Sequence, residues 1–152
     1  MTMDEYEVIQ NVSKAHHDFS YFAENILGLK MEEFHKEPLK YIYKDRFILI
    51  KWPRGHYKTT FWSVAYPIWR AWREKNKEIC IVSSSLEQSM DIIEIIQTTI
   101  EENEFLKNLR PKEYQETWNR TRMNLTNGNK IYLKPFNSTA RGKHVNYLIC
   151  DD

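Results

Sequence analysis

Two short polar clusters have the residue types that bind a phosphate group together with a metal ion. Lys58-Thr-Thr60 follows a turn-forming stretch at residues 53–57, and Asp151-Asp152 follows an apolar run. A lysine ammonium neutralises phosphate charge, and backbone N–H groups at the start of a helix bind phosphate oxygens. Hydroxyl and carboxylate oxygens bind Mg²⁺. The two clusters together predict a nucleotide site with a magnesium ion.

The first cluster departs from the phosphate-loop pattern G-x-x-x-x-G-K-[ST]. Trp52 and Tyr57 occupy the two glycine positions, and Gly55 is the only glycine of the loop. Lys58 and Thr59 keep the last two positions. We therefore expect Lys58 to contact the β- and γ-phosphates and the Thr59 hydroxyl to bind the metal ion.

The second cluster supplies two carboxylates with different expected roles. Adjacent strand residues point to opposite faces of a sheet, so Asp151 and Asp152 should not duplicate each other. Asp151 is expected to hold the metal directly or through water, and Asp152 to orient the attacking water. The alternative is that the pair is a solvated chain end.

The elements around the first cluster read as strand, helix, strand, helix. Residues 47–52 form an uninterrupted apolar run, typical of a strand with both faces covered. A helix is predicted over residues 59–75, apolar nearly all round and kinked at Pro67. A second strand is predicted over residues 78–83. This alternation is typical of a parallel sheet, in which ligands bind beyond the carboxyl ends of the strands.

The second helix of this alternation begins at Ser84 or Ser85, since both offer a capping box, and extends to about residue 103. Asn127-Gly128 between alternating residues predicts a β-hairpin. A last apolar strand then leads to the two carboxylates.

The N-terminal part of the chain predicts two helices, over residues 4–27 and 31–43, with Pro38 in a first turn. Phe34 and His35 lie in the second helix. One interpretation places Phe34 in the core and His35 at the surface. The other makes this pair an adenine contact.

Composition limits the class of protein. The chain has 152 residues, of which 28% are charged, and a net charge of +1. This nearly neutral charge does not indicate a strongly basic protein that binds nucleic acid through its overall charge. No apolar run is long enough to cross a bilayer, and the N-terminus lacks the pattern of a secretory signal. Cys80 and Cys150 are expected to be buried free thiols in a reducing compartment. We expect a soluble cytosolic protein with one domain, a helical segment at 1–45 and a core at 46–152.

Three segments together resemble the ATPase domain of the viral (phage-type) terminase large subunit, the DNA-packaging motor. They are Trp52-Pro-Arg-Gly-His-Tyr-Lys-Thr-Thr60, the serines at 83–85, and Arg141-Gly142 shortly before Asp151-Asp152. The resemblance extends over about residues 20–152. It implies an α/β P-loop NTPase fold of the additional-strand type. That fold has a parallel sheet flanked by helices, here with a β-hairpin insertion and an N-terminal helical segment. One central strand of that sheet would come later in sequence, so the sheet is expected to be incomplete.

The resemblance also implies roles for individual residues. Asp151 matches the metal-binding acid together with Thr59, Asp152 matches the catalytic acid, and His35 lies where the family contacts adenine. Arg141 resembles an arginine finger offered to a neighbouring subunit, and Arg54 is placed to sense the γ-phosphate; the alternative for both is a surface guanidinium. The predicted nucleotide-contacting loop consists of Pro53, Arg54, Gly55, His56, Tyr57, Lys58, Thr59 and Thr60.

The function implied by the resemblance is ATP hydrolysis with Mg²⁺ that drives viral DNA into a capsid. The implied partners are double-stranded DNA, further copies in a ring, the small terminase subunit and the portal protein, with no membrane. The implied localisation is the host cytoplasm, on the viral procapsid. Two alternatives stay open: a helicase-like P-loop ATPase that acts on nucleic acid, and a non-catalytic fragment that binds nucleotide or DNA.

Overall fold

A computed structural model describes residues 3–112, 117–135 and 144–151. The chain forms two compact units, Met1–Lys58 and Thr59–Asp152. Each unit is described by itself below.

The second unit contains an open, mixed sheet whose five described strands are β1 (Glu78–Ser83), β2 (Trp118–Asn119), β3 (Arg122–Asn124), β4 (Lys130–Pro135) and β5 (Tyr147–Cys150). Their order in the sheet is β2-β3-β4-β1-β5. The inner strand β1 is parallel to β4 on one side and to β5 on the other, whereas β3 pairs antiparallel with β2 and β4. The expected parallel pairing is found between β1 and its two neighbours β4 and β5. The β-hairpin belongs to the same sheet and makes it mixed, since β3 is antiparallel to β2 and β4.

The helix that opens the second unit changes type along its length. Thr59–Ala65 is π-helical, and the α-helix Tyr66–Arg73 continues it. Pro67 lies at the start of the α-helical part. Proline lacks the N–H that a regular helix uses at this position, so the wider turn falls on its N-terminal side. The helix thus changes type just before Pro67, while the kink predicted at Pro67 stays a prediction.

The long helix Leu86–Glu102 covers the same sheet. The Ser85 hydroxyl caps it by accepting a hydrogen bond from the Gln88 N–H at 3.1 Å. Of the two predicted caps, Ser85 is therefore the one used. Its buried stripe consists of Ile92, Ile93, Ile96 and Ile100.

The β3–β4 hairpin turns at Gly128, whose φ of +83° suits glycine. The turn also caps a helix. The side-chain amides of Asn127 and Asn129 both donate to the carbonyls of Ala71 and Glu74, at the end of the helix Tyr66–Arg73. The hairpin predicted from Asn127-Gly128 is confirmed.

The first unit is helical. The helix predicted over residues 4–27 is interrupted at Asp18, whose backbone is extended and whose carboxylate accepts from the Tyr21 N–H at 3.1 Å. Pro38 lies in the first turn of a 3₁₀ segment, as expected. The helical elements are α-helices Met3–His17, Phe19–Tyr21 and Glu33–Lys36, the π-helical Phe22–Ile26, and the 3₁₀ turn Glu37–Lys40.

The apolar run at residues 47–52 is not a strand, so that prediction was wrong. Phe47 is 86% exposed and Leu49 80% exposed. A strand persists only when a neighbour pairs with its backbone groups, and no described residue pairs with this segment as a strand. The apolar composition of residues 47–52 is therefore not enough to make this segment a strand.

The two cysteines also differ. Cys80 on the central strand β1 is buried as expected, whereas Cys150 is exposed. Cys150 lies on β5, an outer strand of the described sheet, and Leu148, which points to the same face of that strand, is likewise 58% exposed. The described residues therefore form an α/β arrangement with helices flanking an open, mixed sheet.

Candidate functional site

The Asp151 carboxylate is the centre of a polar cluster at the carboxyl end of β5. It is 6% exposed. The Thr59 hydroxyl donates to its two oxygens at 3.2 and 3.1 Å, and the Ser63 hydroxyl donates to Oδ1 at 3.0 Å. The Gln88 amide lies 3.5 Å from Oδ2. Thr59 and Asp151 are 92 residues apart in the sequence but in contact in the structure, as the predicted metal site requires.

Backbone contacts hold this carboxylate in register. The Asp151 N–H donates to the Val82 carbonyl at 2.8 Å, continuing the ladder between β1 and β5. The two donors Thr59 and Ser63 are four residues apart on one helix and so lie on the same face. The carboxylate is therefore fixed by the sheet and bound by the helix.

The chemistry of this pair fits a magnesium ion. A hydroxyl has one proton and two lone pairs, so Thr59 can donate to Asp151 and still offer a lone pair to a cation. Mg²⁺ in phosphate-transfer sites takes one or two protein oxygens and fills its remaining positions with phosphate and water. Among the described residues no group of three His, Cys, Asp or Glu side chains gathers as a metal site. A two-ligand magnesium site does not need one.

Ser63 and Gln88 belong to this cluster but were not predicted from the sequence. Ser63 sits at helical spacing from Thr59, a signal that was available. The Gln88 amide is oriented by the Ser84 hydroxyl, which donates to its oxygen at 3.2 Å and leaves the NH₂ group toward Asp151. The contact between Gln88 and Asp151 forms only in the folded chain, so no local sequence pattern predicts it.

A further hydroxyl lies beside the cluster. Ser83 follows Val82 in β1 as Asp151 follows Cys150 in β5, and Val82 and Cys150 are paired in register. Side chains at the same register in parallel strands point to the same face. The Ser83 oxygen is buried and makes no hydrogen bond within the described part of the chain. A buried hydroxyl without a partner is a position where a water or ligand oxygen would be stabilised.

The loop at residues 53–58 belongs to the first unit. Its backbone has the left-handed conformation at two positions, Gly55 (φ +80°) and Tyr57 (φ +56°). Tyr57 therefore has the conformation that suits a glycine, at the position where the phosphate-loop pattern has its second glycine. Its ring is 66% exposed, so it points outward instead of packing under the loop.

His35 contacts this loop from within the first unit. It is 2% exposed, while Phe34 is 41% exposed. The interpretation with Phe34 in the core and His35 at the surface was therefore wrong, because the imidazole is used internally. Its Nδ1 lies 2.9 Å from the Glu32 N–H and its Nε2 lies 3.1 Å from the His56 carbonyl oxygen.

The start of β5 is held by a second cluster, distant along the strand from Asp151. The Tyr147 hydroxyl lies 2.8 and 2.9 Å from the two Glu74 carboxylate oxygens. Arg70 pairs with Glu74 at 2.9 Å and stacks over the Tyr147 ring at 4.8 Å. Burial, reinforced by the hydrogen bond with Glu74, raises the pKa of Tyr147 to about 12. The edge strand β5 is thus attached at both ends to the helix that begins at Thr59.

The other predicted residues have the following positions. Lys58 lies at the end of the first unit, directly before Thr59 in the chain. Pro53 and Arg54 are exposed, and His56 and Thr60 are half-buried. Arg141, Gly142 and Asp152 lie outside the described residues, so their predicted roles stay predictions.

In comparisons with known proteins, neither a protein-family model nor a curated protein matches the sequence. No helix in the described ranges is long and apolar enough to span a bilayer.

Proposed function

We propose that this chain binds and hydrolyses Mg-ATP as a P-loop-type ATPase, and that it serves as the motor domain of a terminase large subunit. The observation that carries the proposal is the Thr59–Asp151 contact at 3.1 Å. It joins the residue after Lys58 to the end of a strand far along the chain. A lysine, then a metal-binding hydroxyl paired with a buried carboxylate, is the set of groups that phosphoryl transfer requires.

The topology supports the additional-strand type of fold. The acidic strand β5 is parallel to β1, its neighbour in the sheet, and Asp151 lies at the carboxyl end, where α/β sheets bind ligands.

In the proposed mechanism each residue has one task. Lys58 binds the β- and γ-phosphates, and the loop N–H groups bind their oxygens. Thr59 and Asp151 would hold a magnesium ion, which would neutralise charge on the transferred phosphoryl group. Asp152 orients the attacking water, Arg54 contacts the γ-phosphate, and Arg141 acts on a neighbouring subunit's nucleotide.

The partners proposed for this motor are those of its class. They are double-stranded DNA, further copies of the chain in a ring, the small terminase subunit and the portal protein. The proposed place of action is the host cytoplasm at the procapsid.

The experiment is a calorimetric titration of the full chain with Mg-ATP, followed by a phosphate-release assay. Lys58→Ala should weaken binding about ten- to hundredfold, because a charge-assisted contact to phosphate is lost. Lys51→Ala is the matched control, since it removes the same charge from an exposed position before the loop. Equal affinity for wild type and Lys58→Ala would overturn the proposal. Binding without phosphate release would instead favour the non-catalytic alternative.

A further inference from the structure

We infer that His35 is a positioning residue for phosphate binding: by holding the His56 carbonyl, it aims the Tyr57 N–H at the bound phosphate. This inference rests on the proposed function and names a residue that acts through the loop backbone. It differs from the adenine contact expected from the resemblance, because the imidazole does not touch the nucleotide.

The hydrogen bonds of His35 fix its tautomer. The Glu32 backbone N–H can only donate, so Nδ1, at 2.9 Å, is the acceptor. A neutral imidazole then carries its proton on Nε2, which donates to the His56 carbonyl oxygen at 3.1 Å. Both ring nitrogens contact backbone groups, and the residue is only 2% exposed. The imidazole therefore has too little exposed surface to contact the adenine of a nucleotide.

Aromatic rings hold the imidazole in this orientation. The Phe34 ring lies 4.0 Å from it, and the Trp52 ring lies 5.2 Å away at a steep angle. Phe34 also packs edge-on against the His56 ring at 5.2 Å. The four rings therefore connect the helix Glu33–Lys36 to both ends of the turn.

The orientation of one peptide bond follows from this contact. The structure contains no cis peptide bond within the described residues. In a trans peptide the C=O and the following N–H point in opposite directions. With the His56 carbonyl directed at His35, the Tyr57 N–H is directed away from it.

The Tyr57 N–H is a donor suited to an anion. It makes no hydrogen bond among the described residues, and Tyr57 has the left-handed φ of +56° directly before Lys58. Successive backbone N–H groups in such a turn form a concave site that binds phosphate. Holding the carbonyl on the other side keeps this donor from rotating away.

Two substitutions separate the two hydrogen bonds of His35. His35→Asn keeps an acceptor near the position of Nδ1 for the Glu32 N–H but is too short to reach His56. His35→Gln reaches toward His56 with its amide and gives up the Glu32 contact. A merely structural role would be affected by both.

The probes are Mg-ATP and Mg-tripolyphosphate, which lacks the base and the sugar. His35→Asn should lower the affinity for both probes to the same extent, about tenfold, as expected for one lost positioning hydrogen bond. The affinity of His35→Gln for each probe should stay within about twofold of wild type. Loss of affinity for Mg-ATP alone would mean that His35 acts on the base and would overturn the inference. Unchanged affinity for both probes would overturn it as well.

A second measurement is independent of these variants. In the wild-type chain, tripolyphosphate should shift the amide resonance of Tyr57 among the most strongly of all, as seen in ¹H–¹⁵N spectra. An unshifted Tyr57 amide in the presence of bound tripolyphosphate would contradict the inference while leaving the proposed function intact. Failure of the wild type to bind either probe would instead remove the proposed function itself.

Discussion

Two apolar runs of similar composition, one in each unit, differ in what covers them. Residues 47–50 are Phe, Ile, Leu and Ile, and Phe47 and Leu49 are 86% and 80% exposed. Residues 79–82 of β1 are Ile, Cys, Ile and Val, and Ile79 and Ile81 are fully buried between β4 and β5. Neighbouring strands, not the apolar run itself, make the second segment part of the sheet.

The polar groups after these runs differ in the same way. At the carboxyl edge of the sheet, side chains make the site: Thr59 and Ser63 donate to the buried Asp151 carboxylate. In the loop, the proposed phosphate site depends on the backbone, through the turn at Gly55 and Tyr57 that His35 contacts. A site made of side chains leaves a trace in residue types, whereas a site made of backbone does not.

The sharpest test of this contrast is a pair of alanine substitutions. Ile81→Ala removes a fully buried side chain and should lower the free energy of unfolding by about 2–5 kcal/mol. Leu49→Ala, at an exposed position, should change it by less than about 0.5 kcal/mol. Urea unfolding followed by circular dichroism measures both. Equal losses would mean that residues 47–50 are packed in solution.

The side-chain part of the site can be tested through Ser63. Its hydroxyl is buried and donates to a carboxylate, and such bonds contribute about 1.5–3 kcal/mol. Ser63→Ala should lower the free energy of unfolding by this amount, as measured by urea unfolding. Ser13→Ala, at an exposed helix position, is the control and should have little effect.

The attachment of β5 beside β1 can be tested by pH. The pKa of Tyr147 is about 12 in the folded protein against 10.0 ordinarily, since burial and the Glu74 hydrogen bond favour the protonated hydroxyl. The folded state therefore holds this proton more tightly, and the stabilisation is complete below pH 10. It is lost as the pH rises toward 12.

Tyr147→Phe should remove this share of the alkaline destabilisation and lower the free energy of unfolding at pH 7 by about 1 kcal/mol. Thermal unfolding between pH 7 and 12 measures both effects. Tyr6→Phe, at an exposed position, is the control. An unchanged alkaline profile in Tyr147→Phe would contradict the role assigned to the Glu74 contact.

The smallest effect is expected in the loop. Tyr57 has a positive φ, which costs a residue with a Cβ about 1–2 kcal/mol, and glycine avoids this cost but loses more chain entropy on folding. Tyr57→Gly should therefore raise the free energy of unfolding by at most about 1 kcal/mol. Urea unfolding measures it, and a loss of stability would show that the Tyr57 ring makes contacts that matter.

Much of the second unit was predictable from residue patterns. The strand Glu78–Ser83 was predicted with its observed bounds because a short apolar run between a helix and a serine cap has few alternatives. The Asn-Gly hairpin and the pairing of Thr59 with Asp151 also followed from local signals and from the geometry of parallel strands.

The rest depends on contacts between distant residues. Residues 47–52 have the composition of a strand, but pairing partners are not encoded in the run itself. The burial of His35 depends on a carbonyl 21 residues away, and Gln88 reaches Asp151 only after two strands have paired. The helical break at Asp18 came from a capping carboxylate that competes with the helix.

Whether Thr59 and Asp151 form a magnesium site for a nucleotide can be measured as the ATP affinity with Mg²⁺ and with EDTA. The variants are the wild type, Thr59→Val and the control Thr98→Val. Thr59→Val keeps the shape of the side chain without its hydroxyl, so we expect that Mg²⁺ no longer strengthens ATP binding in this variant, while affinity in EDTA is unchanged. The control should behave as the wild type. An Mg²⁺ effect in Thr59→Val equal to that of the wild type would show that these residues do not form the magnesium site.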